Sequence, residues 1–440
     1  MQLFPYQEEG ARFLINRKGA LLADQMGLGK TVQAIAAAEN FKSKALVVTR
    51  AALLKQWRDE IKKFTGKEAV IITGSPAKRE KAWLEATEPE NKYCICSYDT
   101  IKLKNDLKAA CKFLAGGTLI LDEATAVKNY KSQRTKAIWF VRKCAGRIYA
   151  LTGTPYENHL TEYYQVLRLV NPSIFPKYET FKHTFLITRK IKVGLREVEI
   201  VTGERNLELF RRLTTPVLLR RTRDEVLTLP PSETVKHYVS MNALQLKQEK
   251  QLLDEAILTR SSVITVFTHC LQNIISPALI NDKAPAQSPL LDEAYEVVKE
   301  IVDNGEQAVI FSTFVTALQI FDREYLQKEK MRVAYITGQQ KDLDAVEGSG
   351  YDCLLISTAG GYGLNLQKYH YMIFLNEPLN PAVTEQVEGR IYRMGQKNNV
   401  QYHKIYTENS EIEQRVRELL ERKKDISEFL LARYALKMEE

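Results

Sequence analysis

Residues 23–34 read ADQMGLGKTVQA. Gly29, Lys30 and Thr31 form the second half of the phosphate-binding pattern G-x-x-x-x-G-K-S/T, whereas its first position is Asp24 instead of glycine. The apolar run GALLAD (19–24) leads into this loop, and a helical pattern opens at Lys30. A strand, a glycine-containing loop and a helix N-terminus gather backbone N–H groups around an anion. In that setting Lys30 reaches the β and γ phosphates of ATP and the Thr31 hydroxyl ligates Mg²⁺. Asp24, Met26, Gly27, Leu28 and Gly29 make up the rest of the candidate nucleotide loop.

Working outward, TLILDEATAVKN (118–129) puts Asp122 and Glu123 at the end of an apolar run. Ligands of open parallel sheets bind beyond the carboxyl ends of strands, where the first loop also lies. Asp122 is expected to hold Mg²⁺ through water and Glu123 to polarise the attacking water. ALTGTPYENHL (150–160) ends another strand, with Thr152 and Thr154 flanking Gly153. KALVVTR, AVIIT, KYCICSY and RIYALTGTP complete a set of buried runs separated by helical patterns such as AALLKQWRDEIKKF. Runs that are apolar nearly throughout fit a parallel sheet covered on both faces, so the fold class is α/β and doubly wound.

The plan recurs in QAVIFST, RVAYIT, YDCLLIST, YMIFLNE and VQYHKIY. The chain of 440 residues is accordingly divided into a first lobe at 1–230, whose 156–230 part reads as a helical extension, a helical connector at 231–285, a second lobe at 286–408 and a charged amphipathic helix at 409–440. Net charge is +9, made of +16 over residues 1–230 and −7 over the remainder, which suggests a polyanion held mainly by the first half. The six cysteines include no C-x-x-C pair and the six histidines are scattered, so neither disulfides nor a structural metal is expected. No apolar run spans a bilayer and the start MQLFPYQEEGARF lacks a leader, which predicts an intracellular protein away from membranes, in cytoplasm, nucleoid or nucleus.

In the second half, QVEGRIYRMGQ (386–396) sets Gln386, Arg390 and Arg393 at i, i+4 and i+7, predicting one helix face. Such arginines can supply fixed forks to a developing phosphate charge. STAGGYGLNLQ (357–367) is glycine-rich at a strand end. Glycines there suit close approach to a phosphate.

In this order, DQMGLGKT, LVVTRAALLKQWRDEIKKF, ICSYDTIK, LDEATAVKN, LTGTPYENHLTEYYQVL, LLRRTRDEVLTLPP and QVEGRIYRMGQ resemble the segments of Swi/Snf-type double-stranded DNA translocases of helicase superfamily 2. The likeness covers nearly the whole chain. It implies two tandem RecA-like lobes, with ATP and Mg²⁺ between Lys30, Thr31, Asp122 and Glu123 on one wall and Arg390 and Arg393 on the other. It also implies that Gln7 reads adenine and that Gln386 belongs to the nucleotide set. Thr49, Arg50, Lys128, Asn129, Thr358, Gly360 and Gly361 fall in segments that touch DNA, and the helix from about Ser410 resembles a brace for the lobes. Asp24 is ordinary at this loop entry in the family. Gln25 stands where Glu is usual, Thr125 where DEAH-type members have His, and no arginine matches the family's G-x-T…R segment in ITGQQKDLDAVEGSG (336–350).

The implied function is ATP-driven translocation along duplex DNA through backbone contacts, nonspecific in sequence and without full strand separation. An RNA helicase and an ATP-driven remodeller of RNA polymerase share the ATPase elements. A DNA-binding scaffold with a dead nucleotide site is the non-enzyme alternative.

Overall fold

The computed structural model describes residues 3–153, 160–193, 196–259, 263–338, 340, 342, 350–358 and 365–421. Two compact units emerge, Met1–Lys190 with Glu197–Leu227, and Ile191–Arg196 with Thr228–Glu440.

The first unit is built on β1 (Gly19–Leu22), β2 (Ala45–Thr49), β3 (Ala69–Ile72), β4 (Tyr93–Ser97), β5 (Thr118–Leu121) and β6 (Arg147–Leu151). A separate two-stranded sheet, β7 (Leu186–Val193) and β8 (Arg196–Glu204), precedes the short β9 (Leu218–Leu219). The main sheet runs β3-β4-β2-β5-β6-β1-β9, every neighbouring pair parallel. Every residue of β2, β4 and β5 is buried, as continuous apolar runs require when helices cover both faces. Helix Leu54–Thr65 shows how the layers lock: Leu54, Trp57 and Ile61 share its buried face, and Gly66, at φ 72°, stops it. Burying each such side chain is worth roughly 1.5–3 kcal/mol. Phe175, Phe181, Phe185 and Phe210 form an aromatic knot, with ring centroids 5.0–5.8 Å apart, that holds the later helices of this unit together.

The second unit carries β10 (Ser232–Val239), β11 (Ala308–Ser312), β12 (Val333–Ile336), β13 (Cys353–Ser357), β14 (Tyr371–Phe374) and β15 (Val400–Thr407). Their order is β10-β15-β14-β11-β13-β12, again wholly parallel. Helix Pro289–Asp303, capped by the Ser288 hydroxyl accepting from Leu291 N at 3.1 Å, lays Leu290, Leu291, Ala294, Val297, Val298 and Ile301 into this core. The expected α/β plan of two parallel sheets is thus present.

The stretch 156–285 is less helical than its sequence suggests, since β7, β8, β9 and β10 interrupt it. In β10, only alternate positions from Val235 onward are partly covered, so SETVKHYV offers no continuous apolar run to announce it. Of the charged C-terminal helix, Glu411–Glu421 is described; the rest of 409–440 lies outside the described residues. No helix among the described residues is long and apolar enough to cross a membrane, and the described cysteines are free.

Candidate nucleotide site

β5, β6 and β1 are neighbours in the first sheet, so the segments leaving their carboxyl ends emerge side by side. After β1 the loop turns through Gly27 (φ 88°) and Gly29 (φ 72°), conformations a side chain disfavours, and helix Lys30–Glu39 begins. Lys30 Nζ is folded onto this loop, donating to Asp24 O at 2.7 Å and Gln25 O at 3.3 Å. From β6, Thr152 N donates to Leu22 O at 3.1 Å, which brings Gly153 against the loop. A Cβ on Gly153 would stand 2.1 Å from Met26 Sδ and 3.4 Å from Lys30 Nζ. A side chain at Gly153 would have to displace the end of Met26.

Two glutamines hold the loop from beneath. Gln7 is buried and donates from Nε2 to Leu28 O at 3.4 Å, while a Cβ at Gly29 would lie 2.5 Å from that nitrogen. Gln33 donates to Leu28 O and to Asp24 Oδ2, both at 3.1 Å. The Leu28 side chain is wholly buried, so only its backbone faces the loop's business. Asp24 is also wholly buried, its carboxylate gripped by Arg221 Nε and Nη2 at 3.1 and 2.6 Å. A carboxylate so engaged shapes the loop entry; it is not exposed to a ligand. Gln25 accepts Arg223 N on Oε1 at 2.8 Å. An amide oxygen supplies that bond as a carboxylate would, which accounts for Gln at a position where Glu is usual.

Beyond β5, Asp122 is oriented on three sides. Its Oδ2 accepts Thr49 Oγ1 at 2.8 Å and Trp57 Nε1 at 2.7 Å, and its Oδ1 accepts Glu123 N at 3.0 Å. A carboxylate offers about four acceptor positions. One therefore remains for a water on a Mg²⁺ ion, and the donor set fits that metal's preference for oxygen and retained waters. Glu123 is buried and sits at φ 48°, a left-handed backbone uncommon outside glycine that concentrates at functional sites. Tyr98 donates its hydroxyl to Asp122 O at 2.8 Å; burial, then the Asp122 and Glu123 charges, push its pKa well up, so it stays a donor.

Thr49 is wholly buried and gives its hydroxyl to Asp122, so it orients that carboxylate. Arg50 is half-buried; Lys128 pairs with Glu162 at 2.9 Å, and Asn129 is exposed beside Tyr130, which is 57% exposed. Trp57 and Tyr98 went unassigned from sequence. Trp57 reads as an apolar helix position, although a buried indole N–H calls for an acceptor.

In the second unit Thr358, Gln386 and Arg390 line one small hollow at the carboxyl end of β13. Gly360 and Gly361 lie outside the described residues, as does Thr154 of the first unit. The expected single helix face is not observed: helix Pro381–Glu388 ends before either arginine. The Arg390 carbonyl is taken by Leu366 N at 3.0 Å, and Gln396 Nε2 caps the Ile391 and Tyr369 carbonyls at 3.1 and 2.9 Å. Past Glu388 the backbone tightens, Arg390 N and Ile391 N reaching back three residues to Val387 O and Glu388 O at 3.0 and 3.2 Å. Arg393 donates instead to Asn365 Oδ1.

Residues 6–283 match the SNF2-related domain, and residues 293–395 the helicase conserved C-terminal domain. An uncharacterized ATP-dependent helicase of Mycoplasma pneumoniae is 27% identical over 453 residues, 96% of this chain and 41% of that protein. The ISWI chromatin-remodeling complex ATPase of Saccharomyces cerevisiae is 26% identical over 467 residues, 95% of this chain and 39% of the other. The chain thus spans less than half the length of these relatives. A solved Sulfolobus solfataricus SWI2/SNF2 ATPase core in complex with dsDNA is 23% identical, with 96% of this chain and 91% of that chain covered at a TM-score of 0.46.

Proposed function

We propose that this chain, which belongs to the SNF2-related family of helicase superfamily 2 and carries a helicase C-terminal domain after it, hydrolyses ATP and uses the cycle to move along duplex DNA without fully separating the strands. The observation that carries the reading is the convergence of Lys30, Asp122, Glu123 and Gly153 beyond three adjacent strands. That is the anion cradle, metal carboxylate and water-activating carboxylate that phosphoryl transfer needs.

In this reading the N–H groups from Gly27 to Thr31 and the Lys30 ammonium hold the β and γ phosphates. Thr31 and Asp122 would hold Mg²⁺, which offsets phosphate charge. Glu123 accepts the proton of the attacking water, and Gln7 and Gln386 sit in the nucleotide set that the family resemblance gives them. Arg390 and Arg393 steady the charge that spreads over the phosphoryl oxygens. The segments of Thr49, Arg50, Lys128, Asn129 and Thr358 are assigned to the DNA backbone, as are Gly360 and Gly361. The +16 charge of residues 1–230 favours such a track.

Phosphate release, measured with duplex DNA, single-stranded DNA and RNA, tests the assignment. Duplex should stimulate most, and the stimulation should fall steeply with salt. Displacement of a third strand from a triplex, with no release from a forked duplex, is the expected mechanical output. Stimulation by single-stranded RNA alone would favour an RNA helicase, and absence of turnover would leave a binding scaffold.

A further inference from the structure

In the usual phosphate-binding loop the first glycine gives the chain freedom to turn. Here that position is Asp24, and the turn is imposed by a residue far along the chain. Arg221 directs two N–H groups to the Asp24 carboxylate, at 3.1 and 2.6 Å, one to Gln33 Oε1 at 3.0 Å and one to Glu9 Oε2 at 3.1 Å, and it also donates to Tyr6 O. Asp24 is 0% and Arg221 8% exposed, so the fork closes out of water, where a bidentate pair is strongest. Space is set aside for it: a Cβ at Gly10 would lie 2.7 Å from Arg221 Nη2 and 1.7 Å from Gln33 Oε1. The backbone repeats the tie. Leu21, Ala23 and Gln25 donate in turn to the carbonyls of Val217, Leu219 and Arg221, at 2.7, 2.7 and 2.9 Å. The loop entry is therefore stitched, alternate residue by alternate residue, to the segment that carries β9.

We propose that Arg221 is a positioning residue for the nucleotide, fixing the direction in which the chain enters the loop so that the N–H groups from Gly27 to Thr31 converge on the phosphates. The inference rests on the ATPase reading above. Arg221 touches no reacting atom; it acts through Asp24 and Gln33. Because its segment ends at Leu227, where the first unit ends, the loop's shape is conditional on that exit segment being docked. By linkage, bound nucleotide tightens the docking in return.

The decisive variant is the double change Asp24→Asn with Arg221→Met, which removes both buried charges. Arg221→Ala alone would strand a buried carboxylate and endanger the fold. In the full chain with duplex DNA, the double variant should raise KM for ATP about tenfold or more with kcat held within about threefold, the pattern of lost uniform binding. Arg221→Lys keeps the charge but loses the fork, so its KM should fall between. A fluorescent ATP analogue should slow hydrogen exchange in peptides covering 217–223 of the wild type, and should do so far less in the double variant. Unchanged KM and unchanged exchange response in a variant that melts cooperatively would reduce the pair to a fold-stabilising contact and overturn the proposal. Arg221→Lys at wild-type KM would do the same if the double variant does not fold. A wild-type chain that neither binds nor hydrolyses ATP would sink the ATPase reading first, and this inference with it.

Discussion

The two units place their candidate catalytic groups by different means. In the first, every group stands on a rigid end: Asp122 beyond β5 with donors from Thr49 and Trp57, Gly153 beyond β6, and Lys30 at the start of a helix. In the second, Arg390 and Arg393 lie past the end of a helix, in turns held by Leu366, Gln396 and Asn365. The carboxylates packed into each unit differ likewise. Asp24 faces an arginine fork, whereas Glu413 is held by the N–H and hydroxyl of Thr407, with the charges Arg417 and Glu377 in opposition around it. The difference teaches where precision is stored: in the sheet for one unit, in turn hydrogen bonds for the other.

The comparison breaks first if the turn-borne arginines prove dispensable. Arg393→Ala should lower kcat about a thousandfold or more while duplex affinity stays within about threefold. Lost affinity with retained turnover, read by anisotropy and phosphate release, would move the residue to the DNA side. Next in size is Glu123→Gln, which keeps the shape of the carboxylate but cannot take the proton; a drop of about a hundredfold or more is expected, with ATP binding intact. Equal turnover in variant and wild type would remove Glu123 from water activation.

A matched pair of milder changes sharpens the contrast. Trp57→Phe deletes one of the donors to Asp122 but leaves Thr49 and the strand in place. Gln396→Ala deletes an amide that donates to two carbonyls and accepts from Lys397 N and Asn398 N. If turns store the second unit's precision, Gln396→Ala should cost about tenfold in kcat or more, and Trp57→Phe less, each lost buried bond being worth roughly 1–3 kcal/mol. The reverse order would show that the sheet-borne site is the fragile one.

How legible this was in the sequence depends on how local the cause is. β2, β4 and β5 announce themselves as apolar runs because helices cover both faces, and the loop at 24–31 is read from one contiguous stretch. The placing of Asp122 and Glu123 needed only a strand end. The bond from Thr49 to Asp122 carries no sequence signal, because its partner is 73 residues away. The Asp24–Arg221 pair spans 197 residues, so the family resemblance marks Asp24 as ordinary there but nothing local in the sequence names the arginine that holds it. Gln386, Arg390 and Arg393 share a face only on a continuous helix, and this one gives way after Glu388 to turns whose N–H groups reach back three residues. β10 stayed hidden because a mostly exposed strand has no apolar signature.

The smallest effect on turnover is expected from half-buried Glu413, and it tests the contrast between the two carboxylates. Burial raises its pKa to about 7; the bonds from Thr407 and the charge of Arg417 pull down, and Glu377 pushes up. The sign follows from which state holds the proton. Below about pH 4.5 both folded and unfolded chains are protonated there, so Glu413 costs nothing. Between about pH 4.5 and 7 the unfolded chain has released its proton while the folded one keeps it, so stability declines as pH rises. Above pH 7 the full penalty, up to about 3 kcal/mol, is present. Glu413→Gln is neutral throughout and should escape that penalty. Hydrogen exchange in peptides covering 400–421 should then be slower in the variant than in the wild type at pH 8, with the two converging near pH 5. Identical ratios at both pH values would mean that Glu413 stays ionised with adequate partners, and that the second unit pairs this carboxylate as fully as the first pairs Asp24.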